Sequence, residues 1–306
     1  MQPAMRMSWK SLWVFFAILW LSSCNYPGFN GASPTPTGPT ATAPAPTSTP
    51  VPLAASVSGE VIPLESFETE VSRFEQAQIR SGIDLATLAG YRAQVLDALI
   101  DLKLLILGAT QHGHEVSSED VELRIAEIVS ARGSQVAFDT WMQENEYNVE
   151  SFHNALMDEI LAAQMVATIA ETVALSADQV HARHILVATQ DEAENLRARI
   201  VEGEDFTDIA ENYSIDASTR PVGGDLGWFP RGFLLWIEVE VAAFEQAPGE
   251  ISPVTQSELG YHLVETLEHG EHQLDYEARL SLQEQAVQDW LTDQRQAADI
   301  QIFITP

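Results

Sequence analysis

The chain has 306 residues, enough for about two domains, and 45% of them are hydrophobic. Its single cysteine excludes an internal disulfide. The 15 Lys and Arg residues face 45 Asp and Glu residues, which gives a net charge of −30. Such a surface repels phosphate groups, so nucleic acid is excluded as a partner and any membrane attachment must be non-electrostatic.

The first 23 residues are predicted to be an export signal. Arg6 and Lys10 precede an apolar run at residues 12–21, which is shorter than the roughly 20 residues that cross a membrane. The sequence LSSC at residues 21–24 resembles a bacterial lipobox, whose cysteine is acylated and becomes the new N-terminus. We therefore expect a lipid anchor at Cys24. An ordinary signal peptide and an uncleaved anchor are the alternatives.

A Pro- and Thr-rich stretch follows, and it predicts a tether over residues 24–58. Proline lacks an amide donor and favours the extended polyproline II conformation, so such a segment is a semi-rigid spacer. The tether would hold the folded part of the chain away from the membrane, on the extracytoplasmic face.

Residues 59–178 have the periodicity of helices and predict an all-α domain. Apolar side chains recur at helical spacing after Pro63, and residues 91–109 predict a largely buried helix. Ser117 followed by Asp120 indicates a helix start, and Ser176–Gln179 is interpreted as a cap with a short helix. Nothing in this region has the composition of a catalytic site.

Residues 179–270 change in character and predict a small α+β domain. We expect strands at residues 181–187, 251–254 and 260–265, and a Gly-rich turn that enters a strand at residues 223–229. Helices are expected at residues 191–202, 206–213 and 239–246. Five motifs fall here in one order: ARHILV, F-x-x-I-A-x-x-Y-S-x-D, GGDLGWFPRG, AAFE…PGEIS-PV and GYHLVE. Together they resemble the parvulin-type (PpiC, rotamase) peptidyl-prolyl cis-trans isomerases. The resemblance implies a four-stranded antiparallel sheet with helices.

The wider arrangement resembles bacterial extracytoplasmic foldases with a SurA-like helical chaperone region before the isomerase domain. Residues 271–306 contain a predicted helix at 274–298 and a predicted strand at 300–304. The resemblance implies that this segment packs on the helical domain and completes it. The fold class we expect is therefore α+β, with a parvulin domain joined to an all-α domain.

The resemblance also implies a polar site. His184 and His262 match the paired histidines of the family, Asp216 occupies its Cys/Asp position, and Ser257 matches a hydrogen-bonding Ser/Thr. Two interpretations of the histidines stay open: they set the protonation of Asp216, or they mainly stabilise the fold.

The proline pocket implied by the resemblance comprises Leu226, Leu235 and Val239. Val239 stands where the family usually has Phe, and a missing aromatic ring forfeits about 1 kcal/mol of contact. We expect modest catalytic strength for this reason. The reaction requires no cofactor. We also expect no metal site, because the pairs His181/His184 and His269/His272 lack Cys or carboxylate companions at zinc spacing.

Two functions follow as hypotheses. The first is a lipid-anchored prolyl isomerase and foldase that acts on unfolded or newly exported polypeptides containing Xaa-Pro bonds. The second is a holdase-type chaperone in which the parvulin domain is inactive or auxiliary.

Overall fold

The structure is a computed structural model that describes residues 51–306. The chain divides into two compact units: the first contains the described residues up to 165 together with 293–306, and the second contains residues 166–292. The predicted signal peptide, Cys24 and most of the predicted tether lie outside the described residues. No helix within residues 51–306 is long and apolar enough to cross a membrane.

The first unit contains a small antiparallel sheet that the all-α prediction missed. Strands β1 (Leu53–Val57) and β2 (Glu60–Pro63) form a hairpin around Ser58 and Gly59, whose φ angles are 49° and 90°. Strand β7 (Ile300–Ile302) pairs with the other edge of β1. A strand therefore begins at Leu53, inside the range predicted for the tether, and the predicted terminal strand is confirmed.

Five helices follow β2 within this part of the chain. They are α1 (Leu64–Arg80), α2 (Tyr91–Gln111), α3 (Ser118–Ala131), α4 (Gln135–Glu144) and α5 (Val149–Glu171). Helix α3 starts with the predicted capping box, in which Ser117 and Asp120 exchange side-chain and backbone hydrogen bonds. The core around α3, α4 and α5 is aromatic, with Phe138, Trp141, Tyr147 and Phe152 in mutual ring contact.

Helix α9 (Tyr276–Ala297) ends in the first unit, where its last turn contacts α2. The Arg295 guanidinium lies 2.6 Å from a carboxylate oxygen of Asp101 and 3.1 Å from one of Asp97. Helix α9 is thus held at its end by ion pairs, and β7 follows it directly.

The second unit is built on a four-stranded antiparallel sheet, as predicted, with the order β4-β3-β6-β5. Its elements are β3 (Ser176–Val187), α6 (Gln190–Val201), α7 (Phe206–Tyr213), β4 (Asp225–Pro230), α8 (Ile237–Glu245), β5 (Thr255–Ser257) and β6 (Gly260–Gln273).

Two local predictions in this unit are wrong. Ser176–Gln179 is not a helix, because it extends β3 and pairs with residues 270–273 of β6. Residues 251–254 form only an isolated bridge at Ile251, and the strand lies at Thr255–Ser257 instead. Pro253 has no amide hydrogen to donate to a ladder, which disfavours a strand there.

The two faces of the sheet are covered by different helices. Helix α8 packs on one face with a core that includes Val180, Phe229 and Val264, and α6 and α7 pack with Ile185 and Leu263. Because side chains alternate along a strand, His184 and His262 share the face of Ala182 and Val264, which α8 covers.

Candidate active site

Two histidines meet in the middle of the sheet of the second unit. His184 is on β3 and His262 is on β6, the two central strands, and both side chains are buried. Their Nδ1 atoms are 3.2 Å apart, and the rings are stacked with an interplanar angle of 17°. The structure thus brings together the two histidines that the sequence predicted as a pair.

Asp216 lies at the outer end of this pair, in the segment between α7 and a short 3-10 helix at Arg220–Val222. Its Oδ2 is 2.8 Å from His184 Nε2 and accepts a hydrogen bond from the Thr219 hydroxyl at 2.6 Å. Its Oδ1 accepts hydrogen bonds from the Ser218 amide at 3.0 Å and the Ser218 hydroxyl at 2.6 Å. Both carboxylate oxygens are therefore held in place.

Ser257 lies at the other end of the pair, on the edge strand β5. Its Oγ is 2.7 Å from His262 Nε2 and accepts a hydrogen bond from the Leu259 amide at 3.1 Å. All four predicted polar residues, Asp216, His184, His262 and Ser257, thus form one continuous path of hydrogen bonds.

The direction of the hydrogen bonds along this path follows from the ionised carboxylate, which only accepts. His184 Nε2 must donate to Asp216, so His184 Nδ1 of a neutral ring accepts from His262 Nδ1. His262 Nε2 then accepts from the Ser257 hydroxyl. The path assigns one tautomer to each ring, and every donor in it has an acceptor.

The electrostatics of the site agree with neutral rings beside a charged carboxylate. Burial lowers the pKa of His184, although its hydrogen bond to Asp216 opposes this. Burial, followed by repulsion from His184, lowers the pKa of His262 to about 4. Burial raises the pKa of Asp216, but hydrogen bonds from Ser218, Thr219 and His184 outweigh it and hold that pKa far below its usual range.

Glycine at position 224 allows the turn before β4 to approach the backbone of His184 closely. The His184 amide donates to the Gly224 carbonyl at 2.8 Å. A Cβ atom at Gly224 would lie 2.0 Å from the His184 carbonyl oxygen, and the φ angle of Gly224 is +82°. Only glycine fits this position without displacing β3.

The predicted pocket residues are brought together only in part. Val239, on α8, is buried in the cluster between this helix and the sheet. Leu226 is partly buried against the same cluster. Leu235 is 88% exposed, so the structure does not enclose it with the other two. It lies in the loop before α8. Phe229 and Phe244 are core residues in edge-to-face contact.

Sequence reasoning missed Ser218 and Thr219, which bind the Asp216 carboxylate. The signal was available, because Asp followed by Ser and Thr at the second and third positions favours a turn closed by side-chain hydrogen bonds. Within residues 51–306, no three His, Cys, Asp or Glu side chains are grouped as metal ligands would be.

Comparisons with known protein families find two matches that together span most of the chain. Residues 175–268 match the PPIC-type PPIASE domain, described as a rotamase. Residues 2–166 match the SurA-like N-terminal domain, which is more than half of the chain.

Curated relatives include the foldase protein PrsA of Caldanaerobacter subterraneus subsp. tengcongensis, which is 30% identical over 189 residues, 57% of this chain and 56% of the relative. The foldase protein PrsA of Geobacillus kaustophilus is 31% identical over 176 residues, 56% of this chain and 60% of the relative. The chain thus spans less than two thirds of either foldase. The chaperone SurA of Thiobacillus denitrificans is 36% identical over 146 residues, 42% of this chain and 33% of the relative.

Among solved structures, the crystal structure of the peptidylprolyl isomerase PrsA from Bacillus anthracis is similar to this chain, with 23% sequence identity and a TM-score of 0.46. The match covers 69% of this chain and 99% of that chain.

Proposed function

Because the chain belongs to the family of proteins with a SurA-like N-terminal domain and also carries a PpiC-type domain, we propose that it is a peptidyl-prolyl cis-trans isomerase and foldase. Its substrates would be unfolded or newly exported polypeptides that contain Xaa-Pro bonds. The observation that carries the proposal is the hydrogen-bonded path from Asp216 through His184 and His262 to Ser257.

The reaction needs no nucleophile and no cofactor. Rotation about the prolyl amide interrupts its resonance, which opposes rotation with a barrier of about 18–20 kcal/mol, and no covalent bond is broken. Without catalysis the step takes roughly tens to hundreds of seconds. A site accelerates it by binding the twisted amide more tightly than the planar one.

Asp216 is the member of the path best placed to touch a substrate. Its side chain is 21% exposed, against 6% for His184. In a planar amide the carbonyl oxygen carries partial negative charge, and twisting returns electron density to the nitrogen. A fixed carboxylate near that oxygen therefore disfavours the planar amide more than the twisted one. We assign Asp216 this electrostatic role.

The two histidines and Ser257 act through Asp216 in this proposal. The two histidine rings are buried, and Ser257 is half-buried. Through their hydrogen bonds these three residues fix the position of the carboxylate. This assignment joins the two earlier interpretations: the histidines support the fold and, by the same hydrogen bonds, the charge at the site.

Apolar side chains near the path would receive the proline ring. Leu226 and the exposed Leu235 are the proposed contacts, and Val239 is buried in the core cluster against which Leu226 packs. Exposed Ile215 and Leu259 flank Asp216 and Ser257 in the chain and would widen the apolar surface. Because Val239 is buried and stands where the family usually has Phe, an aromatic contact to the proline ring is missing, and we expect modest catalytic strength.

We also propose that the chain acts outside the cytoplasm, attached to the membrane by a lipid at Cys24. The basis is the LSSC sequence and the Pro- and Thr-rich stretch that follows it. Acyl chains contribute about 0.8 kcal/mol per buried CH₂, so they anchor a strongly acidic protein without basic residues.

A holdase function is the second candidate, and one observation favours it. The first unit exposes large apolar side chains to solvent, among them Leu123, Val136 and Val149. These lie in the region matched by the SurA-like family. Scattered exposed apolar residues are normal, so this observation supports peptide binding less strongly than the polar path supports isomerisation.

One experiment separates the two functions. The chain from residue 25 onward is added to a proline-containing peptide and, separately, to an aggregating unfolded protein. An isomerase raises the exchange rate of the peptide above the buffer rate. Suppressed aggregation with an unchanged exchange rate in a folded sample would overturn the isomerase proposal and favour the holdase.

A further inference from the structure

A buried carboxylate in helix α8 holds the loop before it. Glu240 is only 2% exposed. Its Oε1 accepts a hydrogen bond from the Gly232 amide at 2.8 Å, and its Oε2 accepts one each from the Phe233 and Leu234 amides at 3.1 Å. None of the ion pairs found within residues 51–306 includes Glu240.

A buried charge without a cation is costly unless hydrogen bonds compensate it. Here three successive backbone amides converge on the carboxylate, which is the arrangement of a backbone anion nest. Gly232 makes the convergence possible, because its φ angle of +84° turns the chain so that these amides face one side. Glu240 and the loop therefore hold each other in one conformation.

The fixed part of this loop ends next to Leu235, the leucine that the proposed function assigns to the proline ring. Phe233 and Leu234 are partly buried against the cluster that contains Val239. Leu235 is the next residue, and 88% of its surface is exposed. The hydrogen bonds of these three amides thus fix the position of Leu235 at the surface.

We propose that Glu240 is a positioning residue, whose buried carboxylate fixes residues 232–234 and thereby presents Leu235 to the prolyl substrate. This inference rests on the proposed isomerase function. Glu240 is too buried to touch the substrate. Its contribution is to the affinity for the peptide and not to the rotation step.

The test combines two substitutions with an NMR titration. A proline-containing peptide is added to the chain from residue 25 onward. The same titration yields the dissociation constant and the cis–trans exchange rate. Glu240→Gln keeps the side-chain shape but replaces one acceptor oxygen by an NH₂ donor, which faces backbone donors. We expect the dissociation constant to rise about fivefold. The exchange rate at saturation should stay within about twofold.

Leu235→Ala should raise the dissociation constant as well, and the double variant should be no weaker than the weaker single variant, because both changes remove the same contact. Glu245→Gln is the matched control: Glu245 is on the same helix, exposed, and makes no side-chain hydrogen bond within the described residues. It should bind like the wild type.

Full additivity of Glu240→Gln and Leu235→Ala, or unchanged affinity in a folded Glu240→Gln protein, would overturn the inference. If Glu240→Gln does not fold, Gly232→Ala strains the same turn from the loop side and should weaken binding alike. A wild-type protein that binds the peptide without speeding its exchange contradicts the isomerase function, and the affinities still test Glu240. A wild-type protein that does not bind overturns both.

Discussion

Buried, neutral histidines make the stability of the second unit depend on pH. The pKa of His262 is lowered to about 4 in the folded protein, against a usual value near 6.5, because the ring is buried next to His184. The unfolded chain therefore takes up a proton at a higher pH than the folded chain does. The contribution of His262 to the free energy of unfolding is therefore fully present above pH 6.5 and is lost as the pH drops towards 4.

We predict that His262 contributes a loss of about 3 kcal/mol in the free energy of unfolding between pH 6.5 and 4. The comparison is with His262→Gln, which cannot titrate in this range. Denaturant unfolding of both proteins at several pH values gives the difference, and carboxylates that titrate in both proteins cancel. Equal pH slopes for the two proteins would contradict the prediction, because they would mean that His262 takes up its proton at the same pH in the folded and the unfolded chain.

The polar residues of the site were predictable one by one, because each stands in a short motif of recognisable spacing. Their partners Ser218 and Thr219 were not predicted. A hydroxyl that donates to a nearby carboxylate leaves no trace in the spacing of apolar residues, from which helices and strands were predicted. The exposure of Leu235 was missed for a different reason. It depends on the loop that Glu240 holds, and that contact joins residues six to eight positions apart.

At the scale of elements, long periodic helices were predicted well and short strands were not. The β1–β2 hairpin lies next to a Pro- and Thr-rich stretch and was assigned to the tether. Its turn at Ser58 and Gly59 needs two positive φ angles, and Ser-Gly between alternating residues was the available signal. Ser176–Gln179 has the composition of a helix cap, but pairing with β6 decides its conformation.

The close approach of β3 to the turn before β4 gives the prediction at this scale. Gly224→Ala should destabilise the second unit by about 3 kcal/mol, because the new Cβ would meet the His184 carbonyl oxygen at 2.0 Å. Gly270→Ala in β6 is the control, since nothing lies within 4 Å of a Cβ atom there. Thermal unfolding compares the three proteins. Equal losses for the two variants would contradict the close contact.

At the scale of the whole molecule, the first unit is made from two separated parts of the chain. Residues 293–306 join those before 166, and the second unit occupies the interval between them. Strand β7 contributes the outer strand of the β2-β1-β7 sheet, and the Phe303 amide donates to the Ala54 carbonyl at 2.9 Å. The end of the chain is therefore part of the fold of the first unit.

In a chain that stops after Ala298, β1 loses its hydrogen-bonded neighbour β7. The free energy of opening that protects the β1 amides from hydrogen exchange should therefore fall by about 2 kcal/mol. Protection of β3 and β6 should stay unchanged. A chain that stops after Ile304 keeps β7 and serves as the control. Hydrogen exchange measured by mass spectrometry resolves these segments. Equal loss of protection in β1 and β6 would contradict the division into two units.

The strongly acidic composition also belongs to this scale. A net charge of −30 favours solubility and would draw basic unfolded segments towards the chain more than acidic ones. It supplies no specificity for proline. In the proposed function, that specificity comes from the site around Asp216 and from Leu226 and Leu235.

The central claim is that Asp216, held by the histidine pair, accelerates rotation about prolyl bonds. NMR exchange spectroscopy on a proline-containing peptide at pH 7 tests it with the wild type, Asp216→Asn and the control Asp208→Asn, which changes an exposed carboxylate on α7. We predict exchange above the buffer rate for the wild type and Asp208→Asn, and a loss of at least about tenfold in kcat/KM for Asp216→Asn. Exchange at the buffer rate in the folded wild type, or full activity in Asp216→Asn, would contradict the account.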